Sequence, residues 1–266
     1  MLLSVRHVTT YAYAQPVRRV VQSLRLTPTD CASQTHSGWT IEVSDAVEGS
    51  RFRDGCGDLV RAFTVRGPVE QVRVTVSGTV TTTDTAGILK GHKESVPVVA
   101  WLTETPATAP DAGLRELAAA ATGGDALALA HDLSRRVADA IVWTPGATDA
   151  RTTAAEALAL GKGVCQDHAQ ALICAARLRE LPARYVTGYL FSAAETGEAA
   201  HAWAEIWIEG LGWVGFDPAN RCCPDERHIR LACGRDAAGA APVRGTVRGT
   251  AEESTQIAVA VAQAQQ

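Results

Sequence analysis

The chain has 266 residues, 46% hydrophobic and 20% charged, with a net charge of −4 and a pI near 6.0. That length suffices for one large domain or two modest ones with real cores, and the acidic balance argues against nucleic-acid and membrane partners, which require concentrated basic charge. The longest basic feature is Arg18-Arg19.

The N-terminal apolar run is broken by Arg6 and His7 before it reaches signal-peptide length, and no stretch approaches the roughly 20 apolar residues of a spanning helix. The seven cysteines are irregularly spaced, which speaks against a disulfide framework and for free thiols. The expected location is the cytoplasm.

Residues 1–100 read as a β-rich N-terminal domain. Val5, His7, Thr9, Tyr11 and Tyr13 share one strand face; residues 40–47, 61–65 and 72–82 are further strands, and Asp54 to Asp58 is a glycine-rich turn closing a hairpin. His7, His36 and His92 stand alone and are taken as structural or exposed. Pro97, Pro106 and Pro110 give residues 96–111 the chemistry of a linker. Residues 111–121 and 125–141 then read as helices opened by aspartate caps, and Thr153 with Glu156 forms a capping box for a third helix that Gly161 stops. Residues 101–240 form the second domain. The tail, residues 241–266, ends in an apolar alternation suited to a strand returning to the N-terminal sheet.

The most informative stretch begins at Gly161. After two glycines, Cys165, Ala169, Leu172, Ile173 and Ala176 fall on one face of a helix running to Leu181, where Pro182 ends it. Cys165 therefore opens a helix, where partial positive charge and unpaired N–H groups favour a thiolate and can hold an oxyanion. Cys174 lies about half a turn round and is ordinary packing.

Residues 201–208 and 213–217 alternate on either side of a glycine turn and read as a hairpin. Aligning Trp207 with Trp213 sets His201 opposite Ala219, two places from Asp217. A carboxylate there would fix the imidazole tautomer and stabilise its cation. A helix-start cysteine, a strand-start histidine and a strand-end aspartate are the candidate nucleophile, base and orienting group.

The runs GVCQDHAQALICAARLRELPARYVTGYL and HAWAEIWIEGLGWVGFDPAN resemble the bacterial transglutaminase-like superfamily, and the likeness continues through DERHIRLACGRD, PVRGTVRG and the N-terminal VRHVTTYAYAQPVRRVVQSLRLTP. The resemblance implies an α+β fold: an antiparallel β domain followed by a papain-like, transglutaminase-like core of helices packed on an antiparallel sheet. It implies Cys165, His201 and Asp217 as the triad of an enzyme that transfers acyl groups from amide or peptide bonds through a thioester. The expected outcome is hydrolysis; transamidation to an amine, or a non-catalytic binding module on the same fold, are the alternatives. Cys56 departs from the family pattern, which has an aromatic residue there, and is expected to lie far from the triad.

Around the triad, Gln166 is a candidate oxyanion donor, Trp203 a cleft wall or water shield, and Tyr189 a residue within reach of the site. Asp167 reads as a capping charge and His168 as a rival base with no carboxylate to orient it. Cys222, Cys223, His228 and Cys233 lack the spacing of a zinc site, so neither metal nor cofactor is expected. The substrate is a peptide or protein, and the oligomeric state is open.

Overall fold

Two long strands organise the N-terminal half. Apolar residues alternate along β1 (Leu2–Leu24), burying Leu3, Val5, His7, Thr9 and Tyr13 on one side, and β1 pairs antiparallel with β4 (Leu59–Thr82) along most of its length. The register slips between Ala12 and Arg19. Pro16 and Pro68 fall in or beside that slip, where their missing N–H groups cost no ladder bond. β2 (Gln34–Val43) and β3 (Ala46–Arg53) share the outer edge of β4. The expected single strand over residues 40–47 is thus two, because Asp45 takes a left-handed φ of 53° between them. The Asp54 carboxylate caps the following hairpin turn, accepting the N–H groups of Cys56 and Asp58 at 3.0 and 3.1 Å.

The computed structural model describes residues 1–192 and 199–264; the last two residues of the tail lie outside them. The segment read as a linker instead forms two 3-10 turns, Val98–Leu102 and Pro106–Thr108. Trp101 is buried there, and the Arg177 guanidinium holds the Trp101 carbonyl and the Thr108 hydroxyl, each at 2.9 Å. One apolar side chain and one buried arginine turn proline-rich chain into packed structure.

Four helices follow: α1 (Ala112–Ala120), α2 (Ala126–Ala140), α3 (Ala154–Leu160) and α4 (Cys165–Leu178). Asp111 and Asp125 cap the first two, and Thr153 with Glu156 makes the capping box of the third. β5 (Val142–Trp143) and β6 (Lys162–Gly163) form a short parallel pair that leads into α4. Helix α4 ends three residues before the expected Leu181, with Glu180 left-handed ahead of Pro182. It is buried all round, not along one face, because α1, α2, α3 and the sheet behind it enclose it.

That sheet has the order β10 (His228–Gly234), β7 (Ala183–Leu190), β8 (Ala200–Ile208), β9 (Gly212–Phe216), all antiparallel. Trp207 pairs with Trp213 in the β8–β9 hairpin. The chain then returns to the first sheet, where β11 (Val243–Arg248) and β12 (Glu253–Gln263) pair with successive halves of β1. The fold is α+β, an antiparallel β region joined to helices on an antiparallel sheet. Among the described residues, no helix is long and apolar enough to cross a membrane.

The two sheets meet at β10. Tyr189, Ile229 and Leu231 join Leu3, Val5, Leu24 and Leu26 in one apolar cluster. Beside it Arg230 holds Glu205, Asp58 and Thr29, Arg184 holds Glu205 and Glu94, and the Cys233 N–H donates to Asp58 at 2.8 Å. Buried charges on this scale persist only when paired and hydrogen-bonded. The opposing arginines outweigh burial and hold the Glu205 carboxyl down to about 2.

Candidate active site

Cys165 is the first residue of α4 and only partly buried, although the helix from Asp167 to Arg177 is buried. Its position is fixed from the next turn. Asp167, fully buried, accepts the Val164 N–H at 2.7 Å and the Thr148 hydroxyl at 2.6 Å, so the turn before the helix is tied to its first turn. The N–H groups of Cys165 and Gln166 have no carbonyl within the helix to bond and supply positive potential at the sulfur.

His201 sits at the start of β8 and Asp217 just past the end of β9, joined across the hairpin by a 2.7 Å contact between His201 Nε2 and Asp217 Oδ2. An ionised carboxylate only accepts, so Nε2 carries the proton, and Nδ1 is the nitrogen left for Cys165. Burial opposes charge on His201, but the bonds and charges of Asp217 and Cys165 outweigh it and push its pKa up to about 10. Burial likewise opposes ionisation of Asp217, and the bonds from His201 and His228 hold its carboxyl well below the usual carboxylate range. The structure therefore brings Cys165, His201 and Asp217 together as a thiol, an imidazole poised as a cation, and a buried anion. Such a set can hold a thiolate–imidazolium pair.

The neighbours divide. Trp203 is 2% exposed and stacks on His201 with ring centroids 6.3 Å apart at 29°, so it shields the His–Asp pair. It fits only because of Gly188 on β7, where a Cβ would lie 2.7 Å from the indole and 2.2 Å from the Ile229 carbonyl. Gln166 turns its amide to the Asp149 carbonyl at 3.4 Å, away from the thiol; its length lets it brace the neighbouring loop, and only its backbone N–H remains near Cys165 as a donor. Tyr189 does not reach the site: its hydroxyl contacts His7 Nδ1 at 2.8 Å within the cluster shared with the N-terminal sheet. His168 cannot act as a base for Cys165, because its two ring nitrogens contact the Val164 and Ile141 carbonyls, both at 2.9 Å.

Cys56, expected far from the site, packs with Cys233 and Trp203 on the sheet face that carries His201. Its hairpin turn folds over β10. Cys222, Cys223, His228 and Cys233 do not converge: His228 lies against Asp217 and Asp225, and Cys233 against Cys56 and Asp58.

Three contributors escape a reading of the sequence alone. Asn220 donates its side-chain amide to Asp217 Oδ2 at 2.7 Å and its backbone N–H to Oδ1 at 3.2 Å. His228 brings Nε2 to the same Oδ2 at 3.1 Å. Tyr185, on the sheet behind α4, is buried in the cluster that Cys165 packs against; burial above all, with Cys165, Asp167 and Asp236 nearby, pushes its phenol well above the ordinary range, and it stays neutral. The Asp-Pro-Ala-Asn run signals an aspartate-led turn and could have indicated Asn220. Nothing local marks Tyr185.

Comparison with known proteins places this geometry. The transglutaminase-like superfamily matches residues 115–218, and the bacterial transglutaminase-like N-terminal region matches residues 3–81. An uncharacterized protein of Mycobacterium leprae is 29% identical over 282 residues, spanning 97% of this chain and 98% of its own. An uncharacterized protein of Mycobacterium tuberculosis is 28% identical over 281 residues, spanning 94% of this chain and 88% of its own. A crystal structure from Cytophaga hutchinsonii, provisionally described as that of a cysteine protease, superposes with a TM-score of 0.78 over 100% of this chain and 91% of that one; at 22% identity the likeness is one of fold. With both regions matched in sequence and one fold running through them, residues 115–218 are a transglutaminase-like core and residues 3–81 the bacterial transglutaminase-like N-terminal region ahead of it.

Proposed function

We propose that this protein is a cysteine-dependent acyl-transfer enzyme that cleaves amide or peptide bonds through a thioester and passes the acyl group to water. The observation that carries this reading is the 2.7 Å contact of His201 with fully buried Asp217, in an imidazole whose proton affinity Cys165 also raises. In the proposed cycle, the Cys165 sulfur attacks the carbonyl carbon and the developing oxyanion rests on first-turn N–H groups of α4. His201 gives its Nδ1 proton to the leaving amine, producing the thioester. It then takes a proton from water, whose oxygen attacks the thioester, and returns that proton to the sulfur as the acid leaves. Asp217 holds the ring in one tautomer throughout. Cys165 is only partly buried, so water has a route to the thioester. The description of the Cytophaga hutchinsonii protein points to the same chemistry. We place the enzyme in the cytoplasm, acting on peptide or protein substrates.

The test is to incubate wild type and Cys165→Ala with a peptide library, with and without a primary amine, and weigh the products. Wild type should add water across an amide, and Cys165→Ala should be inert. Activity surviving in Cys165→Ala would overturn the mechanism, and amine adducts in place of acids would reassign the acceptor.

A further inference from the structure

A single oxygen of Asp217 serves two histidines beside the Asn220 side-chain amide, which donates to it at 2.7 Å. Oδ2 lies 2.7 Å from His201 Nε2 and 3.1 Å from His228 Nε2, and Asp217 and the His228 side chain are 0% and 2% exposed. Because an ionised carboxylate only accepts, both ring nitrogens must be donors. On its far side, His228 Nδ1 lies 3.1 Å from Asp225 Oδ1 and 3.1 Å from the Asp225 N–H. Arg227 in turn grips the Asp225 carboxylate through Nε and Nη2, at 2.7 to 3.0 Å. Trp203 meets the His228 ring edge-on, with centroids 5.5 Å apart. His228 is thus held on every side, and among the described residues the one hydrogen bond it directs at the site is with Asp217.

Resting on the function proposed above, we propose that His228 is a positioning residue: it fixes the Asp217 carboxylate and, by sharing its Oδ2 lone pairs, moderates the pull of Asp217 on the His201 proton. A carboxylate stripped of one donor is a stronger acceptor for its remaining partners. His201 must release its proton to the leaving amine and recover one from water, so an Asp217 with too strong a hold would slow the first of these steps. The charged and titratable groups around His228 are Asp217, Asp225 and Arg227, with His201 at a ring distance of 5.9 Å. Glu205 and Arg230 line the small cavity beside it. Glu205 and Arg230 are paired to each other at 2.9 Å, which leaves Asp217 as the acceptor that His228 Nε2 serves.

The experiment is an NMR titration of ring-labelled histidines in the full chain, for wild type, His228→Leu and His228→Gln, run beside the pH profile of Cys165 alkylation by iodoacetamide. His228→Leu should raise the His201 midpoint by about one pH unit, the effect of one lost hydrogen bond to a charged group. His228→Gln can still donate to Asp217 and should restore the wild-type midpoint. Should His228→Leu fail to fold, His228→Asn, too short to reach Asp217, carries the same expectation. A His201 midpoint unmoved or lowered in a folded Leu or Asn variant overturns the inference while the proposed function stands. An ordinary His201 midpoint with unactivated Cys165 in wild type overturns the proposed function, and the inference with it.

Discussion

The two faces of the sheet β10-β7-β8-β9 are built from alternating residues of the same strands, yet they do opposite work. On one face Ala202, Ala204, Ile206, Ile208, Val214 and Phe216 pack against the helices in a cluster that leaves little for water to touch. On the other, His201, Trp203, Glu205 and Trp207 come from the intervening positions of β8 and meet Arg184, Trp213, Arg230 and His228. The first face seats helix α4, whose first residue is Cys165, by apolar contact that is non-directional. The second sets which protonation states the site can hold, by hydrogen bonds that are directional and whose partners cannot be removed singly without leaving a buried charge. Strand alternation thus lets one hairpin serve packing and electrostatics without compromising either.

The largest expected effect tests the polar face. Glu205 is the only carboxylate shared by Arg184 and Arg230 among the described residues. Replacing it by leucine leaves two buried guanidinium groups short of an anion, and stability to urea should fall by about 3–5 kcal/mol. The pH dependence follows the same residue. Its carboxyl is held down to about 2 against an ordinary value of 4.5. Its contribution is therefore fully present above pH 4.5 and is lost as pH falls through that window. Urea midpoints measured from pH 5 to pH 2 should show a weaker acid decline in Glu205→Gln than in wild type. A loss below 1 kcal/mol in Glu205→Leu would show that the polar face contributes little to stability and would collapse the contrast between the faces.

The apolar face gives the next effect. Leu172 is fully buried in the middle of α4, and Leu172→Ala should cost about 3 kcal/mol by opening a cavity. The comparison is sharpened by what should not change: the midpoint of His201, set by Asp217 and Cys165, should stay in place as long as the protein is folded. A shift of His201 comparable to that expected for His228→Leu would mean that packing and electrostatics are not separated.

The sequence made the local pieces of this arrangement legible and left the long-range ones hidden. The three aspartate and threonine caps, the glycine stop at Gly161 and the Trp207–Trp213 register are written in a few adjacent residues each, and the structure has them where those residues stand. The hairpin register alone brings His201 near Asp217. Tyr189 and the Gln166 side chain find partners elsewhere for a different reason. Strand and helix position give the direction of a side chain but not its partner, and those partners, His7 and Asp149, lie 182 and 17 residues away. Residues 96–111 pack although their composition reads as a linker, because proline density signals irregular backbone, not exposure, and a single buried arginine 76 residues on from Trp101 decides which it is. His228 reads in the sequence only as a metal-ligand candidate, since nothing in its own surroundings announces Asp217.

The smallest effect isolates local from tertiary determinants. Thr153 accepts the Glu156 N–H at 3.3 Å, and Glu156 returns a 2.8 Å bond from the Thr153 N–H. Thr153→Ala removes the cap from a seven-residue helix whose buried residues are Ala154 and Ala157, and should cost about 1 kcal/mol in urea unfolding. Helix α3 runs directly into the Gly161–Gly163 turn that delivers Cys165. The loop is nevertheless anchored at its far end by Asp167, through Val164 and Thr148. If that anchor governs the nucleophile, iodoacetamide alkylation of Cys165 in Thr153→Ala should stay within about twofold of wild type. A larger fall would place control of Cys165 in the helix before it, and not in the packed faces of the sheet and α4.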